Sequence, residues 1–268
     1  MPRRPKYTAK TADRHALYEM SVQAPENEVH FLDRVFRKTY RRRPLSLRED
    51  FCGTGLLCRH WVESHKKRTA VGLDLDPEVI EWGRRNNLGQ LGKAQERARL
   101  LREDVLEAKE PLSEIICAFN FSYWVFKERS QLLRYFESAR AALAREGMFV
   151  CDLLGGPDAQ CLLEERKSMP GFKYVWDQEE FNPIDHSLKC AIHFDFPDGS
   201  RVRRAFTYDW RLWSAAEIRD CLADAGFSKS EIYWEGTDKR TMSGNGIFTR
   251  RSKVQNEQAW VAYLVALP

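Results

Sequence analysis

Residues 44–57, PLSLREDFCGTGLL, decide how the rest of the chain is read. Leu45 and Leu47 are spaced as in a strand entering a core. Gly53 and Gly55 permit a sharp turn and a close backbone approach to a ligand. From Leu56 the pattern turns helical. A strand that passes through such a turn into a helix exposes that helix's first N–H groups, which lack partners, carry partial positive charge and receive a carboxylate or phosphate. Thr54 and Gly55 therefore stand where a ligand would dock, although a GxG on its own is equally at home in a plain structural turn.

The residues downstream add a second signal. Thr69 to Leu75 (TAVGLDL) reads as a strand that ends near Asp74, roughly 20 residues after the glycine turn, where nucleotide folds place a ribose-binding acid. Asp76-Pro77 then starts another helix. Together these residues resemble the class I S-adenosylmethionine-dependent methyltransferases, whose first motif reads acid-x-Gly-Cys-Gly-x-Gly and whose second strand ends in an acid. The matching residues are Glu49-Asp50-Phe51-Cys52-Gly53-Thr54-Gly55 and Gly72-Leu73-Asp74-Leu75-Asp76. The resemblance implies S-adenosyl-L-methionine as cofactor, held by Glu49, Cys52, Gly53, Thr54, Gly55, Asp74 and Leu75, with Asp74 on the ribose hydroxyls. Phe51 departs from the pattern by replacing the first glycine, so its ring either changes the approach to the methionine moiety or shapes a wall of the pocket.

With 268 residues, 43% hydrophobic and 12% aromatic, the chain can bury a full core. Its apolar runs, such as residues 259–268 (AWVAYLVALP), fall short of the roughly 20 residues a membrane helix needs. The basic stretch Met1 to Lys10 lacks the apolar segment of a secretory signal, and Asp13 and Glu19 count against a mitochondrial presequence, so a cytoplasmic protein is expected. Seven cysteines without CxxC or Cys/His spacing fit reduced, packed thiols rather than a disulfide framework or a metal site, and Cys52 fits a small residue packed under the turn. The formal charge of +4 is concentrated at the start, where residues 1–45 hold eleven Lys/Arg against five Asp/Glu. Arg41-Arg42-Arg43 with Arg3, Arg4 and Lys6 reads as a solvated basic turn or as a footprint for nucleic acid.

Taken in order, the chain opens with two helical pieces broken at Ala24-Pro25, a cap that in the resembled fold lies over the cofactor and offers Tyr18 and Gln23. Helices over 55–64 and 77–90 follow, then a third strand over 99–105 (RLLREDV). In the resembled family an acid after this strand accepts from the adenine amino group, which places Asp104 and Val105 there; the competing reading of Asp104, as a helix cap, carries less weight. Residues 114–119 (EIICAF) read as a central buried strand, whose exit, Asn120, Phe121, Ser122, Tyr123 and Trp124, should line a pocket suited to a sulfonium or a cationic amine. A helix from Ser130 to Gly147 and a strand from Met148 to Leu154 come next. Residues 157–212 break the rhythm with a hairpin over 188–196 and 202–209, an inserted flap carrying His186 and His193 as candidate bases and Trp210 and Arg211 as candidate substrate contacts. Ser214 and Glu217 form a capping box, Gly226 ends that helix, and the strands over 231–234 and 258–266 should be antiparallel neighbours.

The expected fold is α/β: a Rossmann-like, mostly parallel sheet flanked by helices, with a C-terminal antiparallel hairpin strand, an inserted antiparallel flap and an N-terminal helical cap. The expected divisions are 1–43 (tail and cap), 44–156 (cofactor-binding core), 157–212 (flap) and 213–268 (C-terminal helix and strands). The resemblance implies in-line methyl transfer from S-adenosyl-L-methionine to a small molecule or side chain through nitrogen or oxygen, with Tyr123, His186 and His193 as candidate bases and Tyr18, Tyr123, Trp124, Trp210 and Arg211 as substrate contacts. An RNA acceptor, an NAD-dependent oxidoreductase and a non-catalytic cofactor-binding module are the alternatives. No metal and no membrane contact are expected.

Overall fold

A computed structural model describes residues 7–108, 111–238 and 244–268; Arg3, Arg4 and Lys6 lie outside them. The helices are α1 (Arg14–Val22), α2 (Pro25–Tyr40), α3 (Leu56–Glu63), α4 (Pro77–Asn86), α5 (Arg129–Ala141) and α6 (Ala215–Asp224). The strands are β1 (Ser46–Asp50), β2 (Thr69–Asp74), β3 (Ala98–Arg102), β4 (Ser113–Ala118), β5 (Leu143–Gly155), β6 (Leu163–Met169), β7 (Phe172–Phe181), β8 (Ser187–Asp195), β9 (Arg201–Arg211), β10 (Lys229–Thr237), β11 (Gly244–Arg251) and β12 (Trp260–Leu267). Among the described residues no helix is long and apolar enough to cross a membrane.

Eight strands form one sheet in the order β11-β10-β12-β5-β4-β1-β2-β3. The run from β5 to β3 is parallel, because helices carry the chain back between strands, whereas β12 and β10 enter antiparallel on the far side of β5. One face is covered by α2 and α3, whose Leu32, Phe36 and Trp61 pack with Leu47, Ile115 and Val150 of the sheet. The other is covered by α5 and α6, whose Leu132, Phe136 and Ile218 pack with Ile116, Phe149 and Leu264. Strand β5 is buried over seven consecutive residues, Gly147 to Leu153, and is apolar on both faces there except at Asp152, a polar intrusion.

Three expectations are corrected. Helix α5 stops at Ala141 rather than at Gly147, since the chain already pairs with β4 at Leu143, and Gly147 sits in the bulge that shifts the register before Met148 meets Ile115. The flap is a four-stranded antiparallel sheet, β6-β7-β8-β9, and not a single hairpin; β6 is largely exposed and carries no apolar alternation that would mark it. The stretch 235–257, read as a polar excursion between the strands expected over 231–234 and 258–266, includes β11, an edge strand paired to β10.

Helix α1 straps the two sheets together. Asp13 caps it by accepting from the His15 and Ala16 N–H groups at 2.8 and 3.2 Å, and its other carboxylate oxygen accepts from Trp82 Nε1 at 2.6 Å. Leu17 is buried among Phe172, Ile192, Phe194 and Ala205 of the flap, while Glu19 accepts from Asn87 Nδ2 at 2.7 Å on the core side. Glycines bring α4 against the turn after β1: a Cβ on Gly83 would lie 2.2 Å from the Thr54 carbonyl oxygen. Gly83→Ala, which at an exposed helical site stabilises by about 1 kcal/mol, is therefore expected to lower the urea midpoint of this protein.

Candidate functional site

The chain places β2 and β3 on one side of β1 and β4 on the other, so the strand order reverses at β1, where open α/β sheets bind ligands beyond the strands' carboxyl ends. A cavity of about 550 Å³ opens there. Its floor is the glycine turn, with Gly53 at φ 52° and Gly55 at φ 67°, the left-handed region open to glycine. The Gly53 N–H donates to Asp74 Oδ2 at 2.9 Å and the Asp76 N–H to Oδ1 at 3.0 Å, which ties the turn to the end of β2. Cys52 is buried beneath it: a Cβ on Gly72 of β2 would come 2.7 Å from its Sγ, and burial raises its thiol pKa well above the ordinary value. Cys52 is thus a packed thiol and a poor nucleophile.

Of the residues singled out in the sequence, Tyr18, Gln23, Glu49, Cys52, Gly53, Thr54, Asp74, Asn120 and Ser122 line this cavity. Leu75, Asp104 and Val105 line a second, apolar slot of about 130 Å³ that shares Phe51 and Asp74 with the first. Phe51 is the partition between the two. Its backbone is left-handed at φ 57°, a strained state for a bulky residue, held while its ring packs against Phe126 and Tyr135 at 5.9 and 5.6 Å. Asp104 Oδ1 accepts from the Leu106 N–H at 2.9 Å and so shapes the turn after β3. Gly55 lines neither space; it lets the start of α3 lie against Leu100, whose Cδ2 would be 2.5 Å from a Cβ.

The expected aromatic lining from the β4 exit is corrected. Asp152 on β5 accepts from the Asn120 and Phe121 N–H groups at 2.6 and 2.9 Å, holding both residues at positive φ. Beyond that bend the Tyr123 and Trp124 side chains turn inward. Tyr123 is fully buried with its hydroxyl on the Asp152 carbonyl at 2.8 Å, and Trp124 is core, stacked on Phe121 and edge-on to Trp210. Trp210 belongs to the same buried cluster, and Arg211 donates to Lys127 O and Glu217 while lying over the Trp213 ring. Neither candidate base of the flap reaches the cavity. His186 is in the turn between β7 and β8 against Phe181. His193 bridges within the flap: its Nδ1 accepts from the Arg204 N–H at 2.7 Å and its Nε2 meets Asp177 at 3.2 Å. Ligand atoms of Asp177, Glu179 and His193 cluster within 4.8 Å, yet Nδ1 as acceptor puts the proton on Nε2, where a metal would bind, and Glu179 pairs with Arg204.

The resemblance implied an N-terminal cap over the site, but not the residues of the cavity's roof. That roof is made by Arg14 and His15 of α1 and by Arg204, Phe206, Thr207 and Tyr208 of β9. Tyr18 packs on Phe206 at 4.9 Å, and burial raises its phenol pKa. His15 sits between Trp82 and Phe206, its pKa lowered by burial and by Arg14. The alternating Phe206, Tyr208 and Trp210 on one strand were a sequence signal; which side faced the cavity was not readable. Three buried acids, Glu28, Glu49 and Asp152, have no basic side chain within ion-pair distance among the described residues, and Glu49 lines the cavity. Burial pushes Glu28 up to about 8 and Asp152 up to about 7, and raises Glu49, which accepts from Cys58 Sγ at 3.3 Å, well above the carboxylate range.

No protein-family model matches the chain, and no curated protein matches it. Solved structures match it over nearly its whole length. A S-adenosylmethionine-dependent methyltransferase from Clostridium acetobutylicum is 15% identical, with 94% of this chain and 97% of that one covered at a TM-score of 0.69. DesVI of Streptomyces venezuelae is 16% identical, covering 95% and 96% at 0.67. The sugar N-methyltransferase KedS8 from Streptoalloteichus is 17% identical, covering 96% and 92% at 0.64. The chain has the class I S-adenosylmethionine methyltransferase fold. Phe51, which departs from the resembled motif where that motif has a glycine, has a left-handed backbone, a conformation that glycine adopts without strain.

Two outcomes are expected. Phe51→Gly should be more stable than Phe51→Ala by about 1 kcal/mol in urea unfolding, since both lose the ring but only glycine relieves the left-handed backbone. Glu28 and Asp152 have folded pKa values above their unfolded ones, so they favour folding while protonated; that contribution is complete below about pH 4 and is withdrawn as pH rises through about 7 and 8. The melting temperature of the protein alone should fall between pH 6 and 9, with a shallower fall in Glu28→Gln.

Proposed function

We propose that the protein transfers a methyl group from S-adenosyl-L-methionine to a small molecule. One observation carries this: two cavities meet at the Phe51–Asp74 partition over the switch point of a methyltransferase-fold sheet. The residues fit the cofactor. Gly53 would present no Cβ to the cavity floor, Gln23 Oε1 is a buried acceptor on the cavity wall without a partner among the described residues, and the adjoining slot is apolar in its lining, with Leu75, Val105 and Phe126, as a base requires. Glu49, Gly53 and Thr54 would hold the methionine end, Asp74 the ribose, and Asp104 with Val105 the adenine. Asn120 and Phe121 would close the site from the β4 side, their loop pinned by Asp152.

Bound S-adenosylmethionine supplies an electrophilic methyl carbon. The protein's part is to align the acceptor behind it and exclude water, which the roof of α1 and β9 supports. An acceptor entering there passes Arg14, Tyr18 and Tyr208. His15, kept neutral by burial and Arg14, is the base of choice on that wall in place of His186 and His193. The aromatic lining and Glu49 on the cavity wall favour an amine acceptor, in line with the N-methyltransferase names among the similar structures.

An RNA acceptor has less support. Arg41–Arg43 precede the amino end of β1, at the sheet edge opposite the cavity, and Arg42 is occupied by Glu114 and Glu146. The antiparallel β12 between β5 and β10 likewise supports a methyltransferase sheet over a dinucleotide oxidoreductase.

Calorimetric titration of S-adenosylmethionine and S-adenosylhomocysteine tests the cofactor assignment. Both should bind, and Asp74→Ala should weaken them by about 10- to 100-fold, the worth of a hydrogen bond to a charged group; equal affinity in the variant removes the ribose contact. Turnover with a panel of primary and secondary amines, absent with RNA, tests the acceptor.

A further inference from the structure

Strand β1 carries Arg48, Glu49 and Asp50 in succession, in the middle of a parallel sheet where apolar residues are the rule. Alternation sends Glu49 toward the cavity and Arg48 and Asp50 to the opposite face, where both are 0% exposed. Arg48 Nε donates to Asp50 Oδ1 at 2.6 Å. A buried pair of this kind is often no better for stability than apolar residues of similar volume, so stability does not account for it. Its other contacts do. Arg48 Nη1 donates to the Ala108 carbonyl at 2.6 Å and Nη2 reaches the Val105 carbonyl at 3.5 Å, which ties down the turn that follows β3. Asp50 Oδ2 accepts from the Tyr135 hydroxyl at 3.0 Å, and the Tyr135 ring packs on Phe51 and Phe126 at 5.6 and 5.3 Å. Val105 is one wall of the apolar slot; Phe51 and Phe126 are the other.

We propose that the Arg48–Asp50 pair is a positioning device that sets the spacing of the slot's two walls and thereby its selectivity for a 6-aminopurine. This rests on the cofactor reading above. Asp104 and Val105 both line the slot; on the cofactor reading Asp104 would accept from an exocyclic amino group and the Val105 N–H would donate to the ring, and a 6-oxo purine reverses both roles and leaves them unpaired. If the pair is lost the turn can drift, and the penalty for the wrong base shrinks.

The test compares calorimetric affinities for S-adenosylhomocysteine and its 6-oxo counterpart, S-inosylhomocysteine. Wild type should prefer the adenosyl compound by at least about tenfold. Arg48→Met with Asp50→Leu, which removes both charges together, should narrow that ratio to about threefold or less. A folded double variant that keeps the wild-type ratio, including one that binds both compounds equally more weakly, overturns the proposal, since a merely structural pair would leave discrimination alone. Should the double variant fail to fold, Tyr135→Phe and Ser138→Ala serve instead: the first frees Asp50 Oδ2, the second removes the 3.0 Å bond from Ser138 Oγ to the Val105 carbonyl. Combined, they should narrow the ratio at least about twofold, and an unchanged ratio overturns the proposal. Wild type that binds neither compound overturns the cofactor reading and this inference with it; wild type that binds both without preference overturns the inference alone.

Discussion

The hydrogen bond from the Gly53 N–H to the Asp74 carboxylate is the constraint on which the site depends. It joins the turn after β1 to the end of β2 and makes one rigid rim from two strands. Glycines make that possible. Gly72 leaves room for Cys52, Gly83 lets α4 touch the Thr54 carbonyl, and Gly55 lets α3 begin against Leu100. Each of these contacts would fail with a methyl group added, so the rim is close-packed from below while it stays open above. The same bond orients Asp74 between the two cavities.

Charge is arranged around this rim in an unusual way. Three consecutive ionisable residues occupy β1, and the sheet separates them by face: a compensated pair under the slot, an uncompensated acid at the cavity. Asp152 intrudes in the same manner into β5, where its cost is offset by two backbone N–H groups that no strand partner could satisfy in a left-handed bend. The result is a rigid loop at the β4 exit and an acidic interior that a cationic ligand would complement.

The α/β rhythm and the loop–acid geometry were legible in the sequence because both are local: Gly53, Gly55 and Asp74 lie within two successive strand–turn–helix units, and each turn needs specific residues. The cap residues Tyr18 and Gln23 were legible only through the resemblance. Tyr123 and Trp124 were misplaced because an aromatic near a strand exit can face the cavity or the core, and Asp152, distant in sequence, decided for the core; Trp210 and Arg211 were misplaced because their partners, Trp124 for the one and Lys127 and Glu217 for the other, lie in other elements. His193 was misplaced for a similar reason, since its partners Arg204 and Asp177 come from neighbouring strands.

What the sequence determined by itself is therefore the succession of elements and the turn that opens the site, since helical and strand periodicity, glycine conformational freedom and caps act over a few residues. What tertiary structure decided is the composition of the roof, the partition by Phe51 and the side on which each buried charge lies. These depend on contacts between segments far apart in the chain, such as α1 with β9 and Arg48 with the turn after β3, and only the register and crossing of packed elements fixes them.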